Sequence, residues 1–121
     1  LTGRMSETAI RDAGITLNRN SIPFDPNGAW YTSGLRIGTP ATTTLGMGAV
    51  EMKKIAEVLS DILKNMAPSK ITKGANAGKL SKANYILDQN IVKKAREEVK
   101  NLLDKYPVYP GINVDFLKSI C

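Results

Sequence analysis

The sequence predicts an α+β fold, a small antiparallel sheet covered by helices. Three observations carry that expectation. Segments 49–66 and 88–105 repeat apolar residues at helical spacing. Segments 15–18 and 32–39 alternate apolar with polar residues. The elements follow in the order α-β-β-α-α. A chain of 121 residues is sized for one domain, 1–121.

A short helix is expected over 3–13. Thr2 can cap it, Met5, Ala9, Ile10 and Ala13 form one apolar face, and Gly14 stops it. Ile15 to Asn18 reads as a strand. Residues 20–30 hold two prolines and an Asp25-Pro26-Asn27-Gly28 turn, a connection long enough to suspect a working loop. Thr32 to Thr39 reads as the second strand, with Leu35 and Ile37 on one face, and Pro40 ends it. The segment after Pro40 is a turn or one loose helical turn. In the first long helix, Met52, Ile55, Val58, Leu59, Ile62, Leu63 and Met66 keep the i, i+3, i+4, i+7 spacing. In the second, Ile91, Ala95, Val99, Leu102 and Leu103 make the stripe, and Pro107, Pro110 and Gly111 close it. Residues 112–121 are ambiguous. Two strands make a marginal sheet, so either helix packing suffices or a strand is missing before Leu1; with the chain opening at Leu1, a piece of a longer protein is expected.

Charge and composition narrow the chemistry. There are 17 Lys plus Arg, 11 Asp plus Glu, one Cys and no His. Without His, the usual general base and the Ser-His and Cys-His pairs are excluded. One Cys excludes an internal disulfide, a Cys₄ zinc site and a CxxC redox pair. No apolar run approaches the roughly 18 residues of a membrane span, and no signal-peptide pattern opens the chain. A cytoplasmic protein without a membrane partner is expected. Residues 1–66 carry seven basic and six acidic groups, and residues 67–121 carry ten and five. Lys70, Lys73, Lys79 and Lys82 sit among Gly, Ala, Ser and Asn, with no acid. Segment 67–87 reads as a solvated Lys-rich linker between the long helices. With no Arg, and no aromatic before Tyr85, it lacks the bidentate and stacking partners that nucleic acid would require, so no nucleic acid is expected.

Two stretches suggest chemistry. In Thr32-Ser33-Gly34-Leu35-Arg36-Ile37-Gly38-Thr39-Pro40, alternation places Arg36 opposite Leu35 and Ile37, with Gly34 and Gly38 as its same-face neighbours. A guanidinium with open space around it suits a planar carboxylate. The plainer reading is an Arg on an exposed strand face, with glycines serving a bend. In Asn18-Arg19-Asn20-Ser21-Ile22-Pro23-Phe24-Asp25-Pro26, Asn20 opens the long loop. Its amide can read a heterocycle edge or bond its own backbone in an Asx-turn. Elsewhere Asp25 is a turn residue, Lys53-Lys54 a solvated face, and Met47, Met52 and Met66 core filler. The Thr42-Thr43-Thr44 run has no base to activate it, and no phosphate loop appears.

The runs LTGR, AGITLNRNSIPFDP and TSGLRIGTPATTTLG, with MKKIAEVLSDIL and VKNLLDKYPVYPGI after them, resemble the C-terminal domain of serine hydroxymethyltransferases across the whole chain. Segment 67–87 is the variable part. The resemblance implies the small domain of the aspartate-aminotransferase type (fold type I), lacking its first strand, which the family carries immediately before the LTG helix. It implies pyridoxal 5'-phosphate as cofactor and tetrahydrofolate as co-substrate. The activity implied is interconversion of serine plus tetrahydrofolate with glycine plus 5,10-methylenetetrahydrofolate. By motif, Arg36 binds the substrate carboxylate and Asn20 contacts the folate. Gly28 stands where many relatives have a Ser near the folate, and Trp30 and Tyr31 stand where many have other residues. No His-Lys follows Thr42-Thr43-Thr44, so the Schiff-base lysine is expected in a large domain upstream. Catalytic residues are then absent from this chain, and the chain alone is expected to be inactive. The partners implied are that large domain and a homodimer or higher homo-oligomer. The alternative is a free-standing module that binds an amino acid or nucleic acid.

Overall fold

The computed structural model describes residues 1–112, 116, 118 and 119. The elements are α1 (Gly3–Asp12), β1 (Asn18–Asn20), α2 (Gly28–Tyr31), β2 (Gly34–Arg36), α3 (Pro40–Thr44), α4 (Ala49–Asn65), β3 (Ala67–Lys70), β4 (Leu80–Ile86) and α5 (Gln89–Lys105). The α+β class holds. The strands, however, form two separate antiparallel ladders, β1–β2 and β3–β4, and not one sheet.

Helix α1 organises the domain. Thr2 is extended, and its Oγ1 accepts the Met5 N–H at 3.3 Å and donates to the Lys82 carbonyl at 2.8 Å. One hydroxyl thus caps the helix and joins it to β4. Gly14, at φ +91°, follows the C-cap, a conformation glycine adopts without a Cβ penalty. The expected face is the buried one: Met5, Ala9, Ile10 and Ala13 pack with Val58, Leu59 and Ile62 of α4 and Ala95 of α5. Helix α1 also contacts both ladders.

The long helices match their spacing at 49–65 and 89–105. Glu51 accepts the Gly48 N–H at 2.9 Å, and Asp88 accepts the Asn90 N–H at 2.8 Å, so each start has a carboxylate on an otherwise orphaned donor. Lys54–Glu98 (3.1 Å) and the Tyr106 hydroxyl, donating to Glu51 Oε1 at 2.8 Å, link the pair. On α5 the buried residues are Val92 and Ala95; Ile91, Val99 and Leu102 are half-buried, and Leu103 is exposed. The stripe is rotated by one residue at its start, from Ile91 to Val92.

Three further expectations are corrected. Strand β1 begins at Asn18, not Ile15, because the Ile15 N–H still bonds the Ile10 carbonyl of the helix end. Strand β2 spans only Gly34–Arg36, because Thr32 has φ +51° and Thr39 is already helical. Ile37 lies past its end and is exposed. Segment 67–87 is not a solvated linker: β3 and β4 pair as a hairpin, with an irregularity between Pro68 and Lys70. Ser81 is buried and Ala83 and Tyr85 are half-buried, while Lys82, Asn84 and Ile86 face outward. The period is two, but the inward residues are a Ser, an Ala and a Tyr while Leu80 and Ile86 are exposed, so hydropathy does not reveal it. The ambiguous end, 112–121, lies mostly outside the described residues.

Candidate functional site

The first ladder brings both candidate residues onto one face. Asn18 pairs with Arg36, Arg19 with Leu35, and Asn20 with Gly34. Because side chains alternate along a strand and cross-strand partners share a face, Asn18, Asn20, Gly34 and Arg36 lie on one side. Arg19 and Leu35 lie on the other, toward α1. Leu35 packs against the core, and Arg19 Nη1 donates to Glu7 Oε2 at 2.8 Å. Arg36 therefore faces away from Leu35, as alternation predicts, and is exposed.

The local contacts are specific. Asn18, with its amide oriented to satisfy both neighbours, donates to the Leu17 carbonyl at 3.2 Å and accepts from Arg36 Nη2 at 3.1 Å. One arm of the guanidinium fork is thereby steadied. Asn20 is exposed, and its Nδ2 donates to the Ser21 carbonyl at 2.9 Å, a local bond of the kind an Asx residue makes at a loop start. Gly34 does not leave open space beside Arg36. A Cβ on Gly34 would stand 2.7 Å from Ile22 Cγ2 and 2.9 Å from the Asn20 carbonyl oxygen. Gly34 serves a close approach of the loop, not an open space. Only at Gly38 is the neighbour, Pro40, at ordinary contact distance.

The 21–33 loop contains residues that spacing alone did not single out. Asp25 Oδ2 accepts the Ile22 N–H (3.2 Å) and the Ser33 N–H (2.8 Å). Its Oδ1 accepts the Asn27 N–H (2.9 Å) and the Ser33 hydroxyl (2.6 Å). Asn27 Nδ2 donates to the same hydroxyl at 3.0 Å. The Ser33 hydroxyl most of all, with the three backbone donors, holds the Asp25 carboxyl down to about 2. Around this carboxylate the backbone is strained. Phe24 (φ 55°) and Thr32 (φ 51°) occupy the left-handed region, which bulky and branched residues avoid. Among the described residues, Thr32 Oγ1 is also a buried oxygen without a partner. A Cβ on Gly3 would stand 2.3 Å from that oxygen, so the start of α1 is pressed against the loop end.

Aromatic residues border the loop. Phe24 is fully exposed, and Trp30 is 62% exposed. The Trp30 ring carries Arg4 at 5.0 Å and Arg19 at 5.6 Å, within cation–π range. An apolar groove of about 200 Å³ begins at Ile37 and Gly38, past the end of β2, and continues to Ile55 and Leu102. Among the described residues no group of three or more His, Cys, Asp or Glu could hold a metal ion, and no helix is long and apolar enough to cross a membrane.

Asp25, Ser33 and Ile22 were missed because their partners are backbone groups or lie eight or more residues apart. The sequence signal was an Asp-Pro-Asn-Gly turn followed by a Ser just before the second strand.

Comparison with known proteins gives consistent results. A family model described as serine hydroxymethyltransferase matches residues 1–59, which include both strands of the first ladder. A serine hydroxymethyltransferase of Salinispora tropica is 48% identical over 115 residues, covering 94% of this chain and 23% of its own length. One from Treponema pallidum is 48% identical over 119 residues, covering 98% and 20%. One from Chlamydia muridarum is 42% identical over 115 residues, covering 95% and 22%. The chain spans about a fifth of the length of the curated relatives it matches.

Proposed function

Because this chain belongs by sequence to the serine hydroxymethyltransferase family, we propose that it is the C-terminal small domain of such an enzyme. The fold is then of type I, and the reaction interconverts serine plus tetrahydrofolate with glycine plus 5,10-methylenetetrahydrofolate. The observation that carries this reading is the shared, exposed face of Asn20 and Arg36 on the first ladder.

On that face Arg36 takes the substrate carboxylate. A guanidinium gives two parallel charge-assisted bonds, and the bond from Arg36 Nη2 to Asn18 limits how the fork can turn. Asn20, diagonal to Arg36, contacts the folate. These residues orient; they do not transfer protons. When bound, pyridoxal phosphate supplies the electron sink for bond breaking at the substrate α-carbon. The described residues fit a place beside it rather than around it. Arg36 and Asn20 are exposed on a surface that a second body can approach, and exposed Phe24 and Trp30 lie in the adjoining loop. That second body is the large domain, which carries the Schiff-base lysine. The chain alone is inactive, and the complete enzyme is a cytoplasmic homodimer or higher homo-oligomer.

In the complete enzyme, Arg36→Ala lowers kcat/KM for serine by roughly 10- to 100-fold or more, the effect of losing a charge-assisted bond. Arg36→Lys is also poor, because a point charge cannot replace the fork. Unchanged serine kinetics in both variants would remove the assignment. Calorimetry of the 121-residue chain with serine, glycine, folate and RNA should show no binding. Tight binding of any of them would favour a free-standing module.

A further inference from the structure

We propose that Asp25 is a positioning residue for the Asn20–Arg36 face. Its carboxylate ties the two ends of the 21–33 loop and holds Ile22 across Gly34, so that the Arg36 guanidinium meets its ligand in one fixed geometry. This rests on the reading of Arg36 given above.

A turn at Asp25-Pro26-Asn27-Gly28 needs only the bond from the Asn27 N–H to the carboxylate, the local bond of an Asx-turn. Asp25 does more. It accepts from Ile22, at the loop's beginning, and twice from Ser33, eight residues on, immediately before β2. Two structural consequences follow. Ser33 lies three residues before Arg36, so the carboxylate sets where the second strand begins. Ile22 lies two residues beyond Asn20, and its Cγ2 occupies the space where a Gly34 side chain would stand. The loop's first apolar residue thus covers the stretch of the face beside Arg36. The positive φ values at Phe24 and Thr32 flank Asp25 and persist only where the surroundings over-determine them, and four bonds to one carboxylate provide that. The low carboxyl pKa agrees with such a saturated acceptor.

The substitution chemistry is sharp. Each Asp25 oxygen accepts two donors. In Asp25→Asn the NH₂ faces either the Ile22 and Ser33 N–H groups, losing two bonds, or the Asn27 N–H and the Ser33 hydroxyl, losing the first bond and forcing the hydroxyl to reverse. Ser33→Ala removes the hydroxyl bond and leaves the backbone bond, whereas Ser33→Thr restores a hydroxyl.

The test uses the full-length, cofactor-loaded enzyme and reads KM for serine, kcat and the thermal midpoint, with amide exchange at Ile22 and Ser33 as a readout independent of turnover. Asp25→Asn should raise KM on the order of 10- to 100-fold, as expected when a binding group is displaced by an ångström or less. The kcat and midpoint should change far less, and both amides should exchange faster. Ser33→Ala should move KM the same way by a smaller factor, and Ser33→Thr should bring it back. If KM is unmoved in Asp25→Asn and Ser33→Ala, or if kcat and the midpoint fall while KM holds, the positioning role is wrong. Should Asp25→Asn not fold, the Ser33 pair decides alone. Arg36→Lys separates the two levels. If it leaves KM for serine unchanged, the carboxylate reading itself has failed. If it raises KM and Asp25→Asn does not, only the role of Asp25 has failed.

Discussion

The two ladders of this domain are alike in kind and unlike in how they are held. Both are two-stranded, antiparallel and set against α1. Strands β1 and β2 are joined by a loop that doubles back through two strained residues and is gathered on one carboxylate. Strands β3 and β4 are joined by a turn that satisfies itself. Ile71 exchanges backbone bonds with Gly78 and Lys79 at 2.8 and 2.9 Å, and Gly74 and Gly78 take the left-handed conformations without a side-chain penalty. The first ladder stores strain and carries the candidate site. The second is relaxed and carries a cluster of lysines. Strain tends to collect where geometry must be over-determined, and here it does so on one of two otherwise similar ladders.

The largest expected effect tests whether the ladders share one foundation. Ile62 is fully buried on α4 in the cluster that includes Met5 and Ile10 of α1. Ile62→Ala should cost roughly 2–5 kcal/mol, lost methylenes plus a cavity. Urea unfolding followed by Trp30 fluorescence and by amide exchange at Ala83 should shift by the same amount. Separate midpoints would make the ladders independent units.

A smaller effect contrasts the same substitution in the two regions. Gly3→Ala drives a methyl into Thr32 Oγ1 and the Gly34 carbonyl oxygen, at 2.3 and 2.7 Å. It should cost near the top of the roughly 1–3 kcal/mol usual for overpacking and loosen the first ladder selectively. Gly78→Ala meets open space at φ +87° and should cost only the backbone term, about 1–2 kcal/mol. Equal losses, read by thermal denaturation, would erase the distinction.

The mildest test is pH. Asp25 is lowered from 3.8 to about 2, so its contribution is present above pH 4 and lost as pH falls through 2. Tyr85 is pushed up to about 12, by burial first and by its hydrogen bond to Asp12 second. The neutral form is favoured in the fold, so that contribution is full below pH 10 and lost as pH rises through 12. Trp30 fluorescence should respond at the acid end, and amide exchange in β4 at the alkaline end. Reversed responses would contradict the two anchorings.

Much of this could be seen in the residues themselves. The caps at Thr2 and Gly14, the face of α1 and the two long helices follow from spacing that tertiary contacts reinforce. The outward direction of Arg36 follows from alternation against Leu35. The hairpin over 67–86 was hidden because its inward residues are Ser81, Ala83 and Tyr85, which no hydropathy count would pick. The gathering of the 21–33 loop was hidden for a different reason. Bonds from Ser33 to Asp25 are between polar groups distant in sequence, and composition reads such residues only as turn formers. The strand limits were hidden by three local events: the Ile15 N–H bonded back to the helix end, the positive φ at Thr32 before β2, and the helical backbone of Thr39 after it.

The self-satisfied turn over 71–79 has a practical consequence for anyone altering the molecule. Its tip at Gly74–Gly78 is exposed and belongs to neither ladder's pairing. Loop-closure entropy grows by only about 0.6 kcal/mol for each doubling of length. A peptide tag, a fluorophore attachment site or a surface tether inserted there lengthens the chain at an exposed turn and leaves the pairing of both ladders intact.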